Sequence, residues 1–271
     1  MSGRSDRALG PAGPDVLIVG AGPAGLSAAA ELRRLGVAPV LVVDREREPG
    51  GIPRHCHHGG FGLQDLRRSM SGPAYARRLA RVAADGGARL SLETTVTGID
   101  PTGVVSLVSP SGPAELRPLV VLLATGARAK GPLTYGGGQS SVIGIVAAGN
   151  LVHPAETAGV AALGGRRVAQ RLAGRLDRGD LGRAFDGVEV QVDEPLAWTW
   201  PGIVRPDDIP DRILLRTRAF TGRRTVRVEQ AGRVLGRARL RHATPNRSLS
   251  IPGGWVADVD VLAGPVVLRL V

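Results

Sequence analysis

A glycine-rich segment near the start of the chain has the spacing of a phosphate-binding turn. Its glycines are Gly20, Gly22 and Gly25, and an acidic residue, Asp44, follows at the end of a second apolar run. Such a turn lets backbone amides approach a pyrophosphate, while the acid accepts hydrogen bonds from a ribose diol. These residue types at this spacing predict that the chain binds a dinucleotide.

Two apolar runs and one helix must position these residues. Val16–Val19 and Val40–Val43 are short and rich in valine, which is typical of buried parallel strands. Residues 24–35 between them are predicted to form a helix whose N-terminus offers unpaired N–H groups and a positive dipole end to the phosphates. A glycine turn alone is common, but the strand, the helix and the acid together make the prediction specific.

Four segments in this order resemble the flavoproteins of the pyridine nucleotide–disulfide oxidoreductase superfamily. The first is the glycine turn with its acid, and the second is Gly50-Gly51. The third is a buried strand that ends in Ala124-Thr125-Gly126, and the fourth is the segment 144–150. The resemblance covers 15–60 and 119–175 well, and the β-rich stretch between them more loosely.

The resemblance implies a Rossmann-like domain that holds FAD, with segment 144–150 closing around the flavin ribityl chain. The family usually has Asp at the position of Asn150, so an amide would supply that hydrogen bond here. The predicted FAD-binding residues are Gly20, Gly22, Pro23, Ala24, Gly25, Asp44, Arg45, Gly51, Thr125, Gly126, Gly149 and Asn150.

The chain departs from the family between Gly126 and Gly144. There the two-dinucleotide flavoproteins carry a second βαβ unit, with its own glycine turn for NAD(P)H. Residues 127–143 are too few for a βαβ unit, which needs about thirty residues or more, and no strand precedes Gly136–Gly138. We therefore expect a flexible connector in this place and no nicotinamide-binding module.

A second departure is the loop 51–62, where the disulfide reductases carry two redox-active cysteines beside the flavin. Cys56 is the only cysteine of this chain, so dithiol chemistry is excluded. The loop resembles a bacterial subgroup similar to the flavoprotein subunits of anaerobic glycerol-3-phosphate dehydrogenase, opine or amino-acid dehydrogenases and hydrogen cyanide synthase. Such subunits oxidise a C–H bearing an amine or hydroxyl group and pass electrons to other subunits or to quinone.

The same loop supplies the candidate catalytic residues. His55 or His57 is the predicted general base, because an ordinary imidazole pKa of about 6.5 suits proton removal at neutral pH. Arg54 is predicted to neutralise a substrate carboxylate or phosphate, or the reduced flavin. The side chains could instead only shape the loop. Zinc binding with Cys56 is a further alternative, but adjacent residues rarely converge on one tetrahedral centre, so no metal is predicted.

These features predict an FAD-dependent oxidoreductase of the dehydrogenase type. A small substrate bearing an amine or hydroxyl group would give hydride to flavin N5, and an electron-accepting partner subunit would reoxidise the flavin. The alternative is a non-catalytic FAD-binding subunit or scaffold that has lost its nicotinamide domain. Bleaching of the flavin by a substrate separates the two hypotheses.

The net charge of +11 comes almost entirely from arginine, since Lys130 is the only lysine. The arginines occur as pairs along predicted helices, and only 3% of the residues are aromatic. Binding of nucleic acid favours a clustered basic patch with aromatic stacking residues. We therefore predict no nucleic-acid partner, and consider an anionic substrate or an acidic partner protein more compatible with the charge.

Location is predicted from the apolar runs and the cysteine count. The longest apolar runs are too short to span a bilayer, and the N-terminal residues lack the pattern of a secretory signal. A single cysteine is compatible with a reducing compartment. We expect a cytoplasmic protein without a transmembrane segment.

The predicted fold class is α/β: a Rossmann-like FAD-binding domain with a parallel sheet, helices and an antiparallel meander, followed by a small antiparallel β domain. From about 187 onwards, short strands alternate with glycine and proline turns, which is typical of a sandwich or barrel. The predicted divisions are a flexible N-terminus over 1–14, the FAD-binding domain over 15–180 and the C-terminal β domain over 187–271. Further helices are predicted near 73–85 and 154–172, and the meander over 88–118.

Overall fold

A computed structural model describes residues 13–127, 138, 140, 142–153, 156–179, 187–245 and 247–271. The first of two compact units comprises 13–127 and 143–179, and the second is built mainly from 187 onwards. Nearly all of the predicted flexible N-terminus, most of the predicted connector Gly136–Gly138 and the predicted domain boundary at 180–186 lie outside the described residues. Within the described part of the chain, no helix is long and apolar enough to cross a membrane.

The first unit contains eight named strands and three α-helices among its described residues. In chain order these are β1 (Val16–Val19), α1 (Pro23–Arg34), β2 (Val40–Val43), α2 (Gly72–Asp85), β3 (Arg89–Ser91), β4 (Thr95–Ile99), β5 (Val105–Ser109), β6 (Gly112–Leu116), β7 (Val120–Leu123), β8 (Ile145–Ala147) and α3 (Ala158–Arg178).

A parallel sheet in the order β3-β2-β1-β7-β8 forms the centre of this unit, which confirms the predicted fold class. β1 lies in the middle, with Val16 opposite Val40 of β2 and Val120 of β7. All four residues of β2 are buried, as expected for a strand covered on both faces. Because the strands are parallel, their carboxyl ends meet at one edge, where α/β proteins bind their ligands.

β3 differs from its prediction. The sequence predicts that a strand at Leu90 begins the antiparallel meander, but β3 is an edge strand of the parallel sheet, with Arg89 opposite Leu41. The reason is that helix α2 connects β2 to β3, and a strand–helix–strand crossover brings the second strand parallel to the first.

The antiparallel meander consists of β4, β5 and β6. The sequence predicts a break in the meander at 109–113, which is rich in proline, serine and glycine, but the last of these strands begins within it, at Gly112. In the structure Pro113 lies opposite Val108 of β5. β6 is the edge strand of its sheet, and an edge tolerates proline because one side of the strand needs no N–H donor.

The helices begin close to where proline predicts them and pack tightly through glycine. Pro23 lies in the first turn of α1, and α3 ends at Gly179, which has the left-handed conformation. α1 packs against α3 at Gly165, where an added Cβ would lie 2.1 Å from the carbonyl oxygen of Ala24. α3 begins at Ala158, later than predicted, and continues to Arg178.

Among its described residues, the second unit contains strands and one 3-10 helix (Gly254–Asp258). Its strands are β9 (Val188–Val192), β10 (Leu196–Trp200), β11 (Ile203–Val204), β12 (Arg212–Thr217), β13 (Arg224–Gln230), β14 (Arg233–Leu240), β15 (Leu249–Pro252) and β16 (Val266–Leu270). They form a three-stranded sheet, β10-β12-β15, and a five-stranded sheet, β11-β9-β16-β13-β14.

This unit is the predicted small β domain, with one departure from antiparallel pairing. β16 runs parallel to β9, with Val266 opposite Val190, while the other strand pairs of the unit are antiparallel. Alternating side chains of both sheets form the core, for example Leu215, Val226 and Leu268, which are fully buried.

Candidate functional site

The glycine turn is fixed by the backbone around it. The N–H of Gly20 donates to the carbonyl of Val43 at 2.8 Å. A Cβ on Gly20 would lie 2.5 Å from the carbonyl oxygen of Ala124, and a Cβ on Gly25 would lie 1.9 Å from that of Gly20. Two of the three predicted glycines are therefore required by close packing between β1, β7 and α1.

Gly22 is different, because its Cβ position is open. It is the N-cap of α1 with ordinary φ and ψ values, followed by Pro23 in the first turn. A Cβ built on Gly22 would meet nothing within 4 Å. Open space in front of the unpaired N–H groups of a helix N-terminus is what a pyrophosphate requires.

Asp44 lies at the carboxyl end of β2 and contacts the glycine turn directly. Its Oδ2 accepts a hydrogen bond from the N–H of Ala21 at 2.6 Å, and its Oδ1 accepts one from the N–H of Glu46 at 2.9 Å. The acid thus holds the turn. Each carboxylate oxygen keeps a second lone pair, so ribose hydroxyls could still donate to Asp44.

The residues after Asp44 fold back onto the turn. The N–H of Gly50 donates to the carbonyl of Ala21 at 2.7 Å. Gly51 has a positive φ of 61°, and a Cβ there would lie 3.0 Å from the Cα of Gly22. Gly51 therefore lies against the open site. Arg45 is exposed and forms an ion pair with Glu46 at 3.7 Å.

The predicted residues of the last two segments lie after β7 and β8. Thr125 is exposed after β7, and Gly126 has a positive φ of 89°. A Cβ on Gly149 would lie 2.5 Å from the Cβ of Ala24, so Ala24, itself buried, packs α1 against the segment after β8. These positions bring the second half of the predicted site beside the first helix turn.

Asn150 carries a buried polar atom without a protein partner. Its Nδ2 donates to the carbonyl of Glu156 at 2.9 Å. Its Oδ1 is buried and has no hydrogen-bond partner among the described residues. A buried, unpaired amide oxygen is unfavourable by itself. It fits a site in which a ligand hydroxyl, such as one of the ribityl chain, donates to Asn150.

The loop with the candidate catalytic residues begins as a 3-10 helix, Ile52–His55. Arg54 is held within this loop: its guanidinium donates to the carbonyl of Glu48 and lies 3.3 Å from the Glu46 carboxylate. The same guanidinium lies 3.2 Å from Nε2 of His55. Arg54 therefore fixes the loop and restrains His55.

The three histidines of the loop differ in how they are held. His55, His57 and His58 are all exposed. The His58 ring lies 2.9 Å from the carbonyl of Gly59 and packs against Phe61 with ring centroids 5.1 Å apart. His57 has no hydrogen-bond or ion-pair partner among the described residues, so it is the most available for proton transfer.

Cys56 has no second cysteine in the chain with which to pair. Its thiol is partly exposed and lies 3.6 Å from the carbonyl of Ile52. In the part of the chain that the structure describes, no three His, Cys, Asp or Glu residues are grouped so that they could hold a metal ion.

A buried polar cluster near the start of α3 was not predicted. The Tyr75 hydroxyl donates to Oδ2 of Asp65 at 2.8 Å, and Arg166 donates to the Asp65 carbonyl at 3.2 Å. The side chain of Asp65 is fully buried, and a Cβ on Gly159 would lie 3.3 Å from its Oδ1. Burial and the Asp65 carboxylate raise the pKa of Tyr75 well above its usual range.

The sequence gives little sign of this cluster. Tyr75 lies on the apolar face of a predicted helix, and Asp65 lies in a polar loop. An isolated Asp in a loop usually faces solvent, and only the packing of α2 against the loop that precedes it reverses that expectation. A buried tyrosine generally needs a hydrogen-bond partner for its O–H. This need is the one signal that could have suggested the buried cluster.

Residues 14–174 match the family described as pyridine nucleotide-disulphide oxidoreductase. The chain belongs to this family. FAD is its cofactor. The open turn at Gly22 and the unpaired Oδ1 of Asn150 fit that cofactor.

No curated protein sequence matches this chain. Among solved structures, AlpK is 27% identical over 42% of this chain and 32% of its own, with a TM-score of 0.36. THI4 of Thermovibrio ammonificans is 19% identical over 60% of this chain and 90% of its own, with a TM-score of 0.48. A thioredoxin reductase from Gloeobacter violaceus is 16% identical over 64% of this chain and 98% of its own, with a TM-score of 0.49. The matched part thus spans about a third of AlpK.

Proposed function

We propose that this FAD-dependent oxidoreductase is a dehydrogenase-type flavoprotein that oxidises a small substrate bearing an amine or hydroxyl group. The observation that carries the proposal is the position of the histidine loop. Its first residue, Gly51, lies against Gly22 at the open turn. The loop then presents an exposed His57 with no partner among the described residues. A loop next to the cofactor that offers a free imidazole is suited to remove a proton from a substrate.

The residues of this chain divide the work as follows. Gly22 and the first turn of α1 bind the pyrophosphate, Asp44 binds the ribose, and Asn150 accepts a hydrogen bond from the ribityl chain. When bound, FAD supplies the acceptor for the hydride of the substrate C–H bond. His57 takes the proton of the substrate O–H or N–H as that C–H bond breaks, and His55 is the second candidate base.

Arg54 has a narrower role than a free anion-binding arginine. Its guanidinium already contacts the carbonyl of Glu48 and the Glu46 carboxylate. A substrate carboxylate or phosphate would have to compete with Glu46 for it. We therefore propose that Arg54 chiefly holds His55 and the loop, and that a substrate anion binds at its remaining N–H groups, of which Nε is buried without a partner among the described residues.

The electrons must leave through an acceptor other than a dithiol, because Cys56 has no second cysteine in the chain. The loop resembles that of flavoprotein subunits which pass electrons to other subunits or to quinone. This resemblance supports a partner subunit or a quinone as the acceptor. We propose that the protein works in the cytoplasm. Residues 127–143 are too few for a nicotinamide module, so NAD(P)H is a poor candidate for the donor.

The same short segment supports a second candidate function. A chain of this family without a nicotinamide module and without a redox-active disulfide could be a non-catalytic FAD-binding subunit or scaffold. Such a subunit would bind FAD at the turn but would not accept hydride from any small substrate.

Anaerobic titration of the purified holoprotein tests the proposal. Amino acids, opines, glycerol phosphate and NAD(P)H are added separately while the visible absorbance of the flavin is followed. We expect saturable bleaching by one class of amine or hydroxyl substrate, and slow, unsaturable reduction by NAD(P)H. Rapid, saturable reduction by NADPH with a charge-transfer band would contradict the proposal. Bleaching by dithionite alone would support the scaffold.

A further inference from the structure

An arginine-lined cleft lies in the second unit, at the end of the hairpin formed by β13 and β14. The cleft has a volume of about 960 Å3, which is at the upper end of the range for small-molecule sites. Its lining residues are Arg223, Arg224, Thr225, Arg239, Leu240, Arg241, His242 and Val271. All of them lie outside the FAD-binding unit.

Within the described part of the chain, the arginines of this cleft lack carboxylate partners, in contrast to Arg227 and Arg269 on the same sheet. Arg227 forms an ion pair with Glu229 at 3.0 Å, and Arg269 forms one with Asp193 at 2.7 Å. Among the described residues, no carboxylate lies within ion-pair distance of any of the four arginines of the cleft. Within the described ranges, the one hydrogen bond of the Arg224 guanidinium is to the carbonyl of Arg223, at 3.4 Å.

The backbone holds these arginines close together. Arg224 lies opposite Leu240, and Thr225 lies opposite Arg239, in the antiparallel pairing of the two strands. Beyond the strand ends, Thr221 and Ala243 exchange two hydrogen bonds of 3.0 Å each. Arg223 and Arg241 lie between the pairs Arg224–Leu240 and Thr221–Ala243, so the register places them directly opposite each other. The Cβ atoms of directly opposite residues are about 5 Å apart.

Grouping like charges without counter-ions is unfavourable for the folded protein. A bound anion removes this cost and gains charge-assisted hydrogen bonds, since guanidinium groups bind phosphate oxygens in pairs. The number of arginines favours a ligand with several adjacent anionic groups over one carboxylate. The only aromatic ring among the described lining residues is the imidazole of His242, so the cleft offers less stacking surface than the tryptophan-, tyrosine- or phenylalanine-lined grooves that bind single-stranded nucleic acid.

We propose that this cleft binds a small molecule that carries two or more linked phosphoryl groups. The recognised chemistry is the phosphoryl chain, which inorganic polyphosphate and nucleoside polyphosphates share. The site is distinct from the proposed FAD site and does not depend on the proposed dehydrogenase activity.

Calorimetric titration of the full-length holoprotein tests the cleft, with inorganic tripolyphosphate, a nucleoside triphosphate, sulfate, a thymidine oligonucleotide and a poly-glutamate peptide as separate probes. We expect both triphosphates to bind at least tenfold more tightly than sulfate, with an affinity that falls as salt increases. Equal affinity of the two triphosphates would mean that the cleft contacts the phosphoryl chain alone. Tighter binding of the nucleotide would mean that the cleft also contacts the nucleoside.

A matched pair of variants localises the binding. Arg239→Gln/Arg241→Gln removes two charges from the cleft, while Arg233→Gln/Arg237→Gln removes two exposed charges from the same hairpin outside it. We expect the first variant to weaken triphosphate binding at least tenfold and the second less than twofold. The proposal is overturned if the two variants weaken binding equally, if triphosphate binds no better than sulfate, or if only the oligonucleotide or the acidic peptide binds.

Thermal unfolding gives an independent measurement. A ligand that binds only the folded protein raises the unfolding temperature. Tripolyphosphate should therefore stabilise the wild-type protein and the Arg233→Gln/Arg237→Gln variant, but should leave Arg239→Gln/Arg241→Gln unchanged. Equal stabilisation of both variants would place the phosphate site elsewhere.

Discussion

The glycine turn and the histidine loop follow neighbouring strands of one sheet, but the chain holds them very differently. The turn is fixed by hydrogen bonds from Gly20, Ala21 and Gly50 and by glycine packing. Most side chains of the loop from His55 to Gly60 are exposed, and His57 has no partner among the described residues. The comparison shows that the proposed cofactor-binding end is formed by backbone already in place, whereas the proposed chemistry depends on exposed side chains.

This difference has a physical basis. A pyrophosphate is recognised by N–H groups, which any sequence supplies once the backbone has the right shape. Proton transfer requires particular side chains at particular distances from a substrate. Substitutions in the turn should therefore affect binding of FAD, and substitutions in the loop should affect only the rate of its reduction.

The largest effect is expected for Gly22→Val. The Cβ of residue 22 would enter open space in the protein and would occupy the position of the pyrophosphate. Loss of two hydrogen bonds to a charged group, about 1.5–3 kcal/mol each, lowers affinity at least about a hundredfold. The variant should be purified largely without FAD, as measured by flavin absorbance and by reconstitution.

Two other glycines make this prediction sharper. Gly98→Val, in β4, also places its Cβ in open space and should retain FAD and stability. Gly25→Val would overlap the carbonyl of Gly20 and should lower the stability of the protein itself. A Gly22→Val protein that keeps stoichiometric FAD would show that the pyrophosphate does not lie at this turn.

The next largest effect is expected for the double variant His55→Asn/His57→Asn. Loss of a general base typically lowers the rate on the order of a hundredfold or more, so flavin reduction by the substrate should slow to that extent. FAD content should not change, because neither imidazole contacts the turn. Stopped-flow absorbance under anaerobic conditions measures the rate.

The single variants distinguish the histidines within the loop. His57→Asn should account for most of the loss, since His55 is restrained by Arg54. His58→Asn and Cys56→Ser serve as controls and should change the rate less than about threefold, because His58 is held by Gly59 and Phe61 and the thiol has no partner cysteine. If the double variant reduces its flavin at the wild-type rate, the loop is structural.

A smaller effect is expected for Asn150→Leu, which removes the buried Oδ1. One hydrogen bond contributes about 1 kcal/mol, so FAD should bind roughly five- to tenfold more weakly. Gln230→Leu is the matched control, because this buried amide makes its hydrogen bonds within the second unit, to Asp260 and Gly264. It should lower stability without weakening FAD. Equal FAD affinity in wild type and Asn150→Leu would exclude Asn150 from the site.

The sequence predicts the site unevenly, and the reason lies in the range of the interactions. The turn, Asp44 and the strand order near it follow from local patterns, because β1, α1 and β2 are adjacent in the chain. The contact between Gly149 and Ala24 could be expected only from a family resemblance. The pairing of Asp65 with Tyr75 depends on how a loop returns to a helix, which no periodicity of the sequence describes.

Local sequence patterns also fail to predict which sheet β3 joins and which arginines lie close together. β3 was assigned to the wrong sheet because its residues fit either pattern, and only the helix before it decides the direction. The arginine pairs lie far apart along the chain, yet the register of the hairpin places Arg223 opposite Arg241 at one cleft. Distance along the sequence conceals clusters that antiparallel pairing creates.

The smallest effect concerns Tyr75 and alkaline pH. The raised pKa of Tyr75 keeps it protonated in the folded protein at pH values where an unfolded tyrosine, with a pKa of about 10, loses its proton. The contribution of Tyr75 to the free energy of unfolding is therefore fully present below about pH 10. It falls as the pH rises further, with a limiting slope of about 1.4 kcal/mol per pH unit. Urea unfolding between about pH 9 and 11 measures the slope.

The composition of the chain makes this test unusually direct. Besides Tyr75, only Lys130, Tyr135 and Cys56 have side chains that titrate in this range, apart from the arginines, whose pKa is higher. Tyr75→Phe keeps those three groups and removes only the hydroxyl that donates to Asp65. It should be less stable than wild type at pH 8 by about 1–3 kcal/mol, with a smaller loss above pH 10. If the free energy of unfolding falls with the same slope at alkaline pH in both proteins, the buried cluster does not control the proton of Tyr75. The structure around Tyr75 would then unfold before the tyrosine ionises.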